Sequence, residues 1–285
     1  MWTRMSTQTK TLTLGHSPDS DDAFMFYGLA SGNVATDGWR YEHILKDIQT
    51  LNEWAKEGRL DTTAISVHAY AYVADKYAIL SHGASMGEKD YGPMVVARGR
   101  TTVDALRKQR IAVPGLMTSA YLALRLCVGE FDPVVMPFDT IMEAVAAGAV
   151  EYGLLIHEGQ LTHEQLGLRP IVNLGTWWWD EHGLPLPLGV NAIRRDLPSE
   201  IKTMASRHLR ESIEFGLSHR PDALRWALRY ARGMEASTAD TFVGMYVNRR
   251  TVDLGDDGRR SIRLFLERGA AAGIIPALPP IDFVS

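Results

Sequence analysis

The sequence contains little cysteine, no long apolar run and no strong excess of charge. Cys127 is the only cysteine among 285 residues, so no intrachain disulfide can form and a reducing compartment is expected. No run of about 18 apolar residues occurs, so we expect no transmembrane helix and no membrane partner. Because 34 acidic residues outnumber 30 basic ones and the basic pairs are scattered, a nucleic-acid partner is not expected.

The N-terminus also lacks the features of an export signal. Residues 1–10 read as a polar tail, with neither an apolar core nor a small-residue cleavage site before the first predicted strand. Either Met1 or Met5 could be the start of translation. We therefore expect a cytoplasmic protein.

Standard metal, nucleophile and nucleotide motifs are missing as well. His157 and His163 do not have the H-E-x-x-H spacing that places two imidazoles on one helix face for zinc, so we predict no metal. In "GHSPD", Asp19 occupies the position of the second glycine of a nucleophile elbow. Neither G-x-G-x-x-G nor G-x-x-x-x-G-K-[ST] occurs, and we predict no cofactor.

The patterns that are present alternate between strand and helix up to about residue 160, which is typical of α/β proteins. "TLTLGHS", "TTAISV" and "YGLLIH" are strand patterns, and "HAYAYVADKY" and residues 102–108 are predicted to be helices. From about Pro198 onward the patterns are all helical. We expect an α/β fold with a helical last third, whose apolar faces could supply a homodimer surface.

Two helix-to-strand segments, 51–66 and 141–156, repeat the same spacing. "LNEWAKEGRLDTTAIS" and "IMEAVAAGAVEYGLLI" each contain a helix, a glycine, an acidic residue and then a strand. Ordinary helix-to-strand turns could also produce this likeness. A true repeat predicts two βα lobes. Since α/β sheets bind ligands at the carboxyl ends of their strands, Ser66 and His157 would then face each other across a cleft.

Four groups of residues are candidates for a binding or catalytic site, and each has a structural alternative. Ser17–Asp22 lie at a strand-to-helix junction, where the acids would either cap the helix or lie beside a ligand. Thr118 and Ser119 begin a helix, where free N–H groups receive carboxylates, although an ordinary N-cap explains them equally well. Trp177–Trp179 could stack on a flat ligand or cover the core. His157 is either structural or a general base.

Long motifs over nearly the whole chain resemble the 1,4-dihydroxy-6-naphthoate synthase family, which serves menaquinone biosynthesis by the futalosine route. They include "LGHSPDSDDAFMFYGL", "DIQTLNEWAKEGRL", "AVPGLMTSAYLAL", "GLLIHEGQLTHEQLGL" and "WWWDEHGLPLPLG". The resemblance implies a two-lobed α/β fold of the type II periplasmic-binding-protein class, with a ligand cleft between the lobes. It also implies a carbon–carbon lyase that converts cyclic dehypoxanthinyl futalosine, a carboxylated small molecule, into 1,4-dihydroxy-6-naphthoate.

The implied fold leads us to predict where the lobes begin and end. The larger lobe is predicted to contain residues 1–98 and 191–285, including the C-terminal helices, and the smaller lobe residues 99–190. The chain would cross between the lobes near residues 97–100 and 190–193, where a hinge is expected.

The resemblance further implies individual site residues. His157, in "IHE", falls on the family's proton acceptor. Ser119 and Ala120 replace a substrate-contacting Thr-Ala pair, so the hydroxyl group is kept. A second contacting segment falls on Ala64, Ile65 and Ser66. Ala64 departs from the lysine expected there, which removes a charged contact but leaves backbone contacts available.

The loop "SPDSDDAF" departs most from the family, which usually has Ser-Pro-Cys-Pro-Asn-Asp-Thr-Phe there. Ser17 and Asp22 match and are predicted to bind substrate, whereas Asp19 and Asp21 replace Cys and Asn. Two additional carboxylates would repel an anionic substrate unless they point outward as helix caps. The exact substrate is therefore left open.

Two alternative functions remain open on the sequence alone. Chorismate dehydratase of the same pathway also handles a carboxylated ring, but it lacks the "IHE" and "GLPLPLG" pattern present here. A non-catalytic solute-binding protein would have the same fold. An exported one would carry a signal, whereas a cytoplasmic ligand sensor would need none.

Overall fold

The strands of the computed structural model form two separate sheets. The structure describes residues 10–231 and 233–285, so Met1 and Met5 lie outside the described residues. The strands are β1 (Lys10–His16), β2 (Trp39–Leu45), β3 (Thr62–Ser66), β4 (Tyr77–Leu80), β5 (Ser85–Gly87), β6 (Met94–Ala97), β7 (Arg110–Val113), β8 (Asp132–Val135), β9 (Tyr152–Leu155), β10 (Arg169–Asn173), β11 (Leu186–Arg194) and β12 (Phe283–Val284).

Helices cover both sheets and make up most of the last third of the chain. The α-helices are α1 (Ser20–Met25), α2 (Tyr27–Ala30), α3 (Ile48–Glu57), α4 (Val67–Tyr70), α5 (Ser119–Val128), α6 (Ile141–Ala147), α7 (Gly159–Thr162), α8 (Leu174–His182), α9 (Ser199–Ser218), α10 (Arg220–Ala227), α11 (Ala236–Tyr246), α12 (Arg249–Val252) and α13 (Gly255–Ala271). Among the described residues, no helix is both long and apolar enough to cross a membrane.

In each of the two sheets, one strand has a parallel neighbour on one side and an antiparallel neighbour on the other. The first has the order β12-β4-β11-β3-β1-β2, with β5 also paired to β11, and the second has the order β10-β6-β9-β7-β8. In the first sheet β3 lies between parallel β1 and antiparallel β11. In the second, β9 lies between parallel β7 and antiparallel β6. The segments that share a spacing in the sequence therefore occupy equivalent places in the two sheets.

Each of these two strands follows a helix that ends in the same way. Asp47 caps α3 by accepting a hydrogen bond from the Thr50 N–H at 3.0 Å, and Gly58 ends the helix with a left-handed φ of 69°. Gly148 ends α6 with a φ of 79°. A glycine adopts this conformation without the Cβ strain that other residues incur, which explains why both segments have a glycine after the helix.

Several predicted helices are shorter than their sequence pattern. "HAYAYVADKY" forms only α4, followed by turns, and residues 102–108 form the 3₁₀ segment Val103–Leu106. The stretch after residue 160 contains β10, α8 and β11, which the sequence patterns did not predict. The all-helical last third is confirmed except for β12.

The chain changes from one sheet to the other at two places. It leaves the first sheet after Gly87 and enters the second at Met94, and it returns between Asn173 and Leu186. These changes lie several residues away from the predicted lobe boundaries at 98 and 190. The predicted boundaries separate rigid lobes, and membership in a sheet does not define a rigid lobe. The boundaries therefore stay a prediction.

Candidate active site

A cleft opens where the carboxyl ends of strands from both sheets meet. The empty space in it, counted together with open solvent at its mouth, is about 710 Å³, and small-molecule sites are clefts of this kind. Strands β1 and β3 reach it from the first sheet and β9 from the second. Its lining consists of Ser17, Asp19, Asp21, Asp22, Ile48, Ala64, Ser66, Gly83, Ser85, Pro93, Thr118, Ser119, Ala120, Ile156, His157, Leu188, Gly189, Val190, Asn191, Phe242 and Tyr246.

His157 lies in this cleft two residues after the end of β9. Its side chain is 14% exposed, and its Nδ1 is 3.7 Å from Oδ2 of Asp19 on the opposite side of the cleft. The ring of Phe138 meets the imidazole edge to face, with the centroids 4.2 Å apart. The buried apolar run of β9 thus fixes a histidine that remains accessible from the cleft.

Three carboxylates of the loop before α1 lie opposite His157. One oxygen from each of Asp19, Asp21 and Asp22 lies within 4.8 Å of the others. Asp19 is the N-cap of α1 and accepts from the Asp22 N–H at 3.3 Å, while Asp22 Oδ2 accepts from the Ser17 N–H at 2.7 Å. Asp19 and Asp21 therefore line the cleft and do not point outward, although Asp19 is also a cap.

The crowding of these acids favours their protonated forms. Burial, followed by the charge of Asp21, raises the pKa of Asp19 well above its usual value. Burial and then the charge of Asp22 raise the pKa of Asp21 to about 7. Burial and the charge of Asp19 likewise raise the pKa of Asp22. The cluster therefore retains protons near neutral pH, and Asp19 is the member whose ionised form a positive His157 favours, because that charge lowers the pKa of Asp19. The shared protons weaken the repulsion that the sequence predicts for an anionic ligand.

The three acids alone do not define a metal centre. Within residues 10–231 and 233–285 they are the one group of three or more His, Cys, Asp or Glu side chains close enough to share an ion. Asp19 and Asp22 already use an oxygen each to accept from backbone N–H groups. The absence of a metal therefore stays a prediction.

The segment from β3 contributes Ser66 and Ala64 to the cleft but not Ile65. Asn52 is fully buried on α3 and holds Ser66 twice. Its Nδ2 donates to the Ser66 Oγ at 3.0 Å, and its Oδ1 accepts from the Ser66 N–H at 2.8 Å. Alternate residues of a strand point to opposite faces, so Ile65 is buried in the core and only its neighbours line the cleft.

The start of α5 brings Ser119 and Ala120 to the same cleft. Thr118 is the N-cap and accepts from the Tyr121 N–H at 3.2 Å. The Ser119 hydroxyl donates to the Leu188 carbonyl of β11 at 2.5 Å and accepts from the His68 N–H at 3.2 Å. The hydroxyl is therefore already bonded. The backbone N–H groups of Ser119 and Ala120, which precede the capped Tyr121 N–H and have no intrahelical acceptor, are the donors that α5 offers a ligand.

Two lining residues had no signal in the sequence. Asn191, on β11, donates to the Gly83 carbonyl at 2.9 Å, and its Oδ1 has no partner among the described residues. Tyr246, on α11, donates to Oε1 of Gln160 at 2.7 Å. Both elements reach the cleft only through tertiary packing. Asn191 is 1% exposed, and buried polar atoms are normally hydrogen-bonded. A hydrogen-bond donor on a bound ligand would therefore satisfy its Oδ1.

The tryptophan hypothesis is wrong for the cleft. Trp178 is fully buried, donates from Nε1 to Ser261 at 3.1 Å and packs against Phe265. Trp177 packs against the core from a half-buried position. None of Trp177–Trp179 lines the cleft, because α8 lies on the core side of β11 and not at the strand ends.

Comparison of the sequence with known proteins gives matches over nearly its whole length. The family model described as menaquinone biosynthesis matches residues 12–271. The chain is 40% identical to the 1,4-dihydroxy-6-naphthoate synthase of Thermus thermophilus, over 95% of this chain and 99% of that protein. It is 37% identical to the enzyme of the same name from Streptomyces coelicolor, over 95% and 96%.

Solved structures confirm the predicted fold class. A crystal structure of an Archaeoglobus fulgidus protein has a TM-score of 0.89 and 45% identity, and the match covers 93% of this chain and 98% of that one. The alkanesulfonate-binding protein of Xanthomonas axonopodis pv. citri, bound to MOPS, has a TM-score of 0.72, 14% identity and coverage of 94% and 96%. The second likeness concerns the fold alone, which is that of periplasmic binding proteins.

Proposed function

The chain belongs to the menaquinone biosynthesis family, and we propose that it is a 1,4-dihydroxy-6-naphthoate synthase. The observation that carries this proposal is the nearly full-length match to two curated enzymes of that name, at 40% and 37% identity. A cleft that holds a histidine, helix N–H groups and an unpaired amide oxygen supports it. The proposed partner is a carboxylated small molecule.

The proposed substrate is cyclic dehypoxanthinyl futalosine, and the proposed reaction class is a carbon–carbon lyase. His157 would remove the proton of a hydroxyl group in the sugar-derived part of the substrate. The oxygen electron pair left behind would form a carbonyl bond as the adjacent carbon–carbon bond breaks, and the electron pair of the broken bond would stay on the naphthoate fragment as it becomes aromatic. Release of an aromatic dihydroxynaphthoate makes the fragmentation favourable, because aromatisation stabilises the leaving product.

The proposed roles of the other residues follow from their places in the cleft. The N–H groups of Ser119 and Ala120, at the positive end of α5, would hold the substrate carboxylate. Ser66, whose oxygen accepts from Asn52, keeps its own hydrogen for a substrate oxygen. Ala64 and Ser17 would complete the wall from the first sheet. Ile65 would act only by keeping β3 in the core.

Incubation with the proposed substrate tests the function directly. Purified protein is mixed with cyclic dehypoxanthinyl futalosine, and the naphthoate product is followed by mass spectrometry. Product formation supports the proposal. Tight binding without turnover would favour a ligand sensor, and dehydration of chorismate in a parallel assay would favour the dehydratase.

Replacement of His157 tests the proposed base. General acid–base catalysis contributes roughly 10² to 10⁴ in rate, so His157→Asn is expected to lower kcat by about that factor. The thermal unfolding midpoint should stay close to that of the wild type, because the side chain makes no hydrogen bond that builds the fold. His219→Asn changes an exposed histidine stacked on Phe215, far from the cleft, and serves as the control. Turnover near the wild-type value in His157→Asn would remove His157 from the mechanism.

A further inference from the structure

One contact in the cleft joins two titratable side chains that follow strands of different sheets. The carboxyl group of Asp19 faces the imidazole of His157. We propose that Asp19 is a positioning residue for His157, which holds the ring and stabilises the positive charge that forms when the imidazole accepts a proton. This inference rests on the proposed role of His157 in the reaction.

The geometry restricts how the imidazole can be used. Asp19 Oδ2 lies 3.7 Å from Nδ1 of His157, a distance at which an ion pair forms but a hydrogen bond is still too long. Contacts of this kind tighten when a substrate closes the site. A carboxylate at Nδ1 favours the tautomer with its proton there, so Nε2 keeps the lone pair that would accept the substrate proton.

Both partners of the pair are held by independent contacts. Asp19 is 4% exposed and is fixed by its role as N-cap of α1. The imidazole is fixed from another side by Phe138, whose ring stands edge to face against it. The two groups come from different sheets, so the pair forms only when the cleft has its present width.

The groups around the pair are mainly acidic side chains. Asp21 and Asp22 lie beside Asp19 within the same loop. Glu158 adds its negative field at Asp21 from the residue after His157, and Tyr246 faces Asp21 from α11. A positive His157 lowers the pKa of Asp19. Transfer of a proton to the imidazole therefore draws charge onto the nearest carboxylate, which is that of Asp19.

The test compares Asp19→Asn with a matched variant of the same cluster. Asparagine still accepts at an N-cap, so the fold should be kept and the melting temperature checks this. Asp21→Asn removes a carboxylate from the same cluster, but Asp21 forms no ion pair with His157. The tautomer of His157 is read from the nitrogen-15 resonances of histidine-labelled protein, which are assigned through His157→Asn. The values of kcat and KM are measured for each variant.

Loss of the opposing carboxyl group should leave Nδ1 of His157 without the group that favours a proton there. In Asp19→Asn we expect a smaller fraction of the tautomer protonated at Nδ1, and kcat to fall about tenfold with little change in KM. Asp21→Asn should produce clearly smaller changes in both measurements. Asp19→Glu should restore part of both, because it returns the carboxylate.

Two results would overturn the proposal. One is a His157 tautomer ratio that is the same in Asp19→Asn as in the wild type. The other is an equal change in Asp21→Asn, which would show a general effect of the acidic cluster. The NMR measurement needs no substrate. If the wild type fails to turn over the proposed substrate, the function fails while the Asp19–His157 pair is still decided by the tautomer ratio.

Discussion

His16 shows how a single buried residue links stability to pH. It ends β1 at 5% exposure, its Nδ1 contacts the Ser17 carbonyl at 3.2 Å, and its Nε2 contacts Nδ1 of His43 at 3.0 Å. Burial first, and the charge of His43 second, lower the pKa of His16 to about 3. The folded state therefore holds this ring neutral at pH values where the unfolded chain protonates it.

The direction of the pH effect follows from that difference. The contribution of His16 is fully present above its unfolded pKa, near 6.5, and is lost as the pH falls towards 3. The slope is roughly 1.4 kcal/mol per pH unit, so about 2 kcal/mol of unfolding free energy should be lost between pH 6.5 and 5. Urea unfolding of His16→Gln should show a smaller loss over this interval than the wild type.

A control separates this effect from general acid destabilisation. His219 lies in an exposed position at the end of α9, and His219→Gln should lose as much stability as the wild type between the two pH values. An equal loss in His16→Gln and in the wild type would mean that His16 takes up its proton without opening the fold.

The residues of the site differ in how far the sequence could identify them. His157 and Ser66 end apolar strands, and strand ends are where α/β sheets bind ligands, so their positions could be read from local patterns. Asn191 and Tyr246 could not, since neither a short crossing strand nor an amphipathic helix reveals which side chain will reach a cleft. The position of Asp19 before α1 predicts a helix cap, but its contact with His157 depends on the packing of the second sheet, which the local sequence does not reveal.

At the scale of elements, the two helix-to-strand turns allow one substitution to be tested twice. Gly58 and Gly148 both have left-handed φ angles, and alanine in that conformation costs about 1 kcal/mol. A Cβ at Gly58 meets only Lys76, at 3.6 Å, whereas one at Gly148 would lie 2.6 Å from the Arg98 guanidinium. Arg98 is exposed and its guanidinium is the far end of a flexible side chain that can move away, so urea unfolding should show a loss of about 1 kcal/mol in Gly148→Ala as in Gly58→Ala.

Gly99 provides the control for these two variants. It has no left-handed φ, and a Cβ there meets nothing within 4 Å, so Gly99→Ala should leave the unfolding free energy within about 0.5 kcal/mol of the wild type. If Gly58→Ala were as stable as the wild type, the left-handed turn would not be the feature that stops α3.

Elements with their own start and stop signals could be predicted, and those without them could not. The Asp47 cap and the Gly58 stop delimit α3 in the sequence as they do in the structure. The pattern "HAYAYVADKY" lacks a stop, and tertiary packing ends α4 at Tyr70. Strand β11 is interrupted by proline and glycine in "LPLGV", yet it pairs with three strands because it crosses back into the first sheet.

At the scale of the whole molecule, the elements built around the first sheet form one half and those built around the second sheet form the other. Hydrogen bonds join these two halves on both sides of the cleft. On one side, Met117 before α5 accepts from Asn52 at 3.4 Å and donates to Gln49 at 3.2 Å, both on α3. On the other, the Tyr246 hydroxyl donates to Gln160 on α7 at 2.7 Å. The cleft is therefore held narrow by bonds that can be weakened one at a time.

Tyr246→Phe removes one of these bonds and keeps the aromatic ring. A hydrogen bond contributes about 0.5–1.5 kcal/mol, so substrate binding in the cleft should weaken and KM should rise by roughly twofold to tenfold. The proposed chemistry is untouched, and kcat should change little. Calorimetric titration with the naphthoate product checks the same loss of affinity without turnover.

Tyr77→Phe is the matched control for this prediction. The Tyr77 hydroxyl donates to the Leu60 carbonyl at 2.6 Å within the first half of the molecule, away from the cleft. Its loss should lower the unfolding free energy by a similar amount while KM stays at the wild-type value. If Tyr77→Phe raised KM as much as Tyr246→Phe, general loosening of the fold would explain the effect. A rise confined to Tyr246→Phe would tie substrate affinity to the bond that joins the two halves.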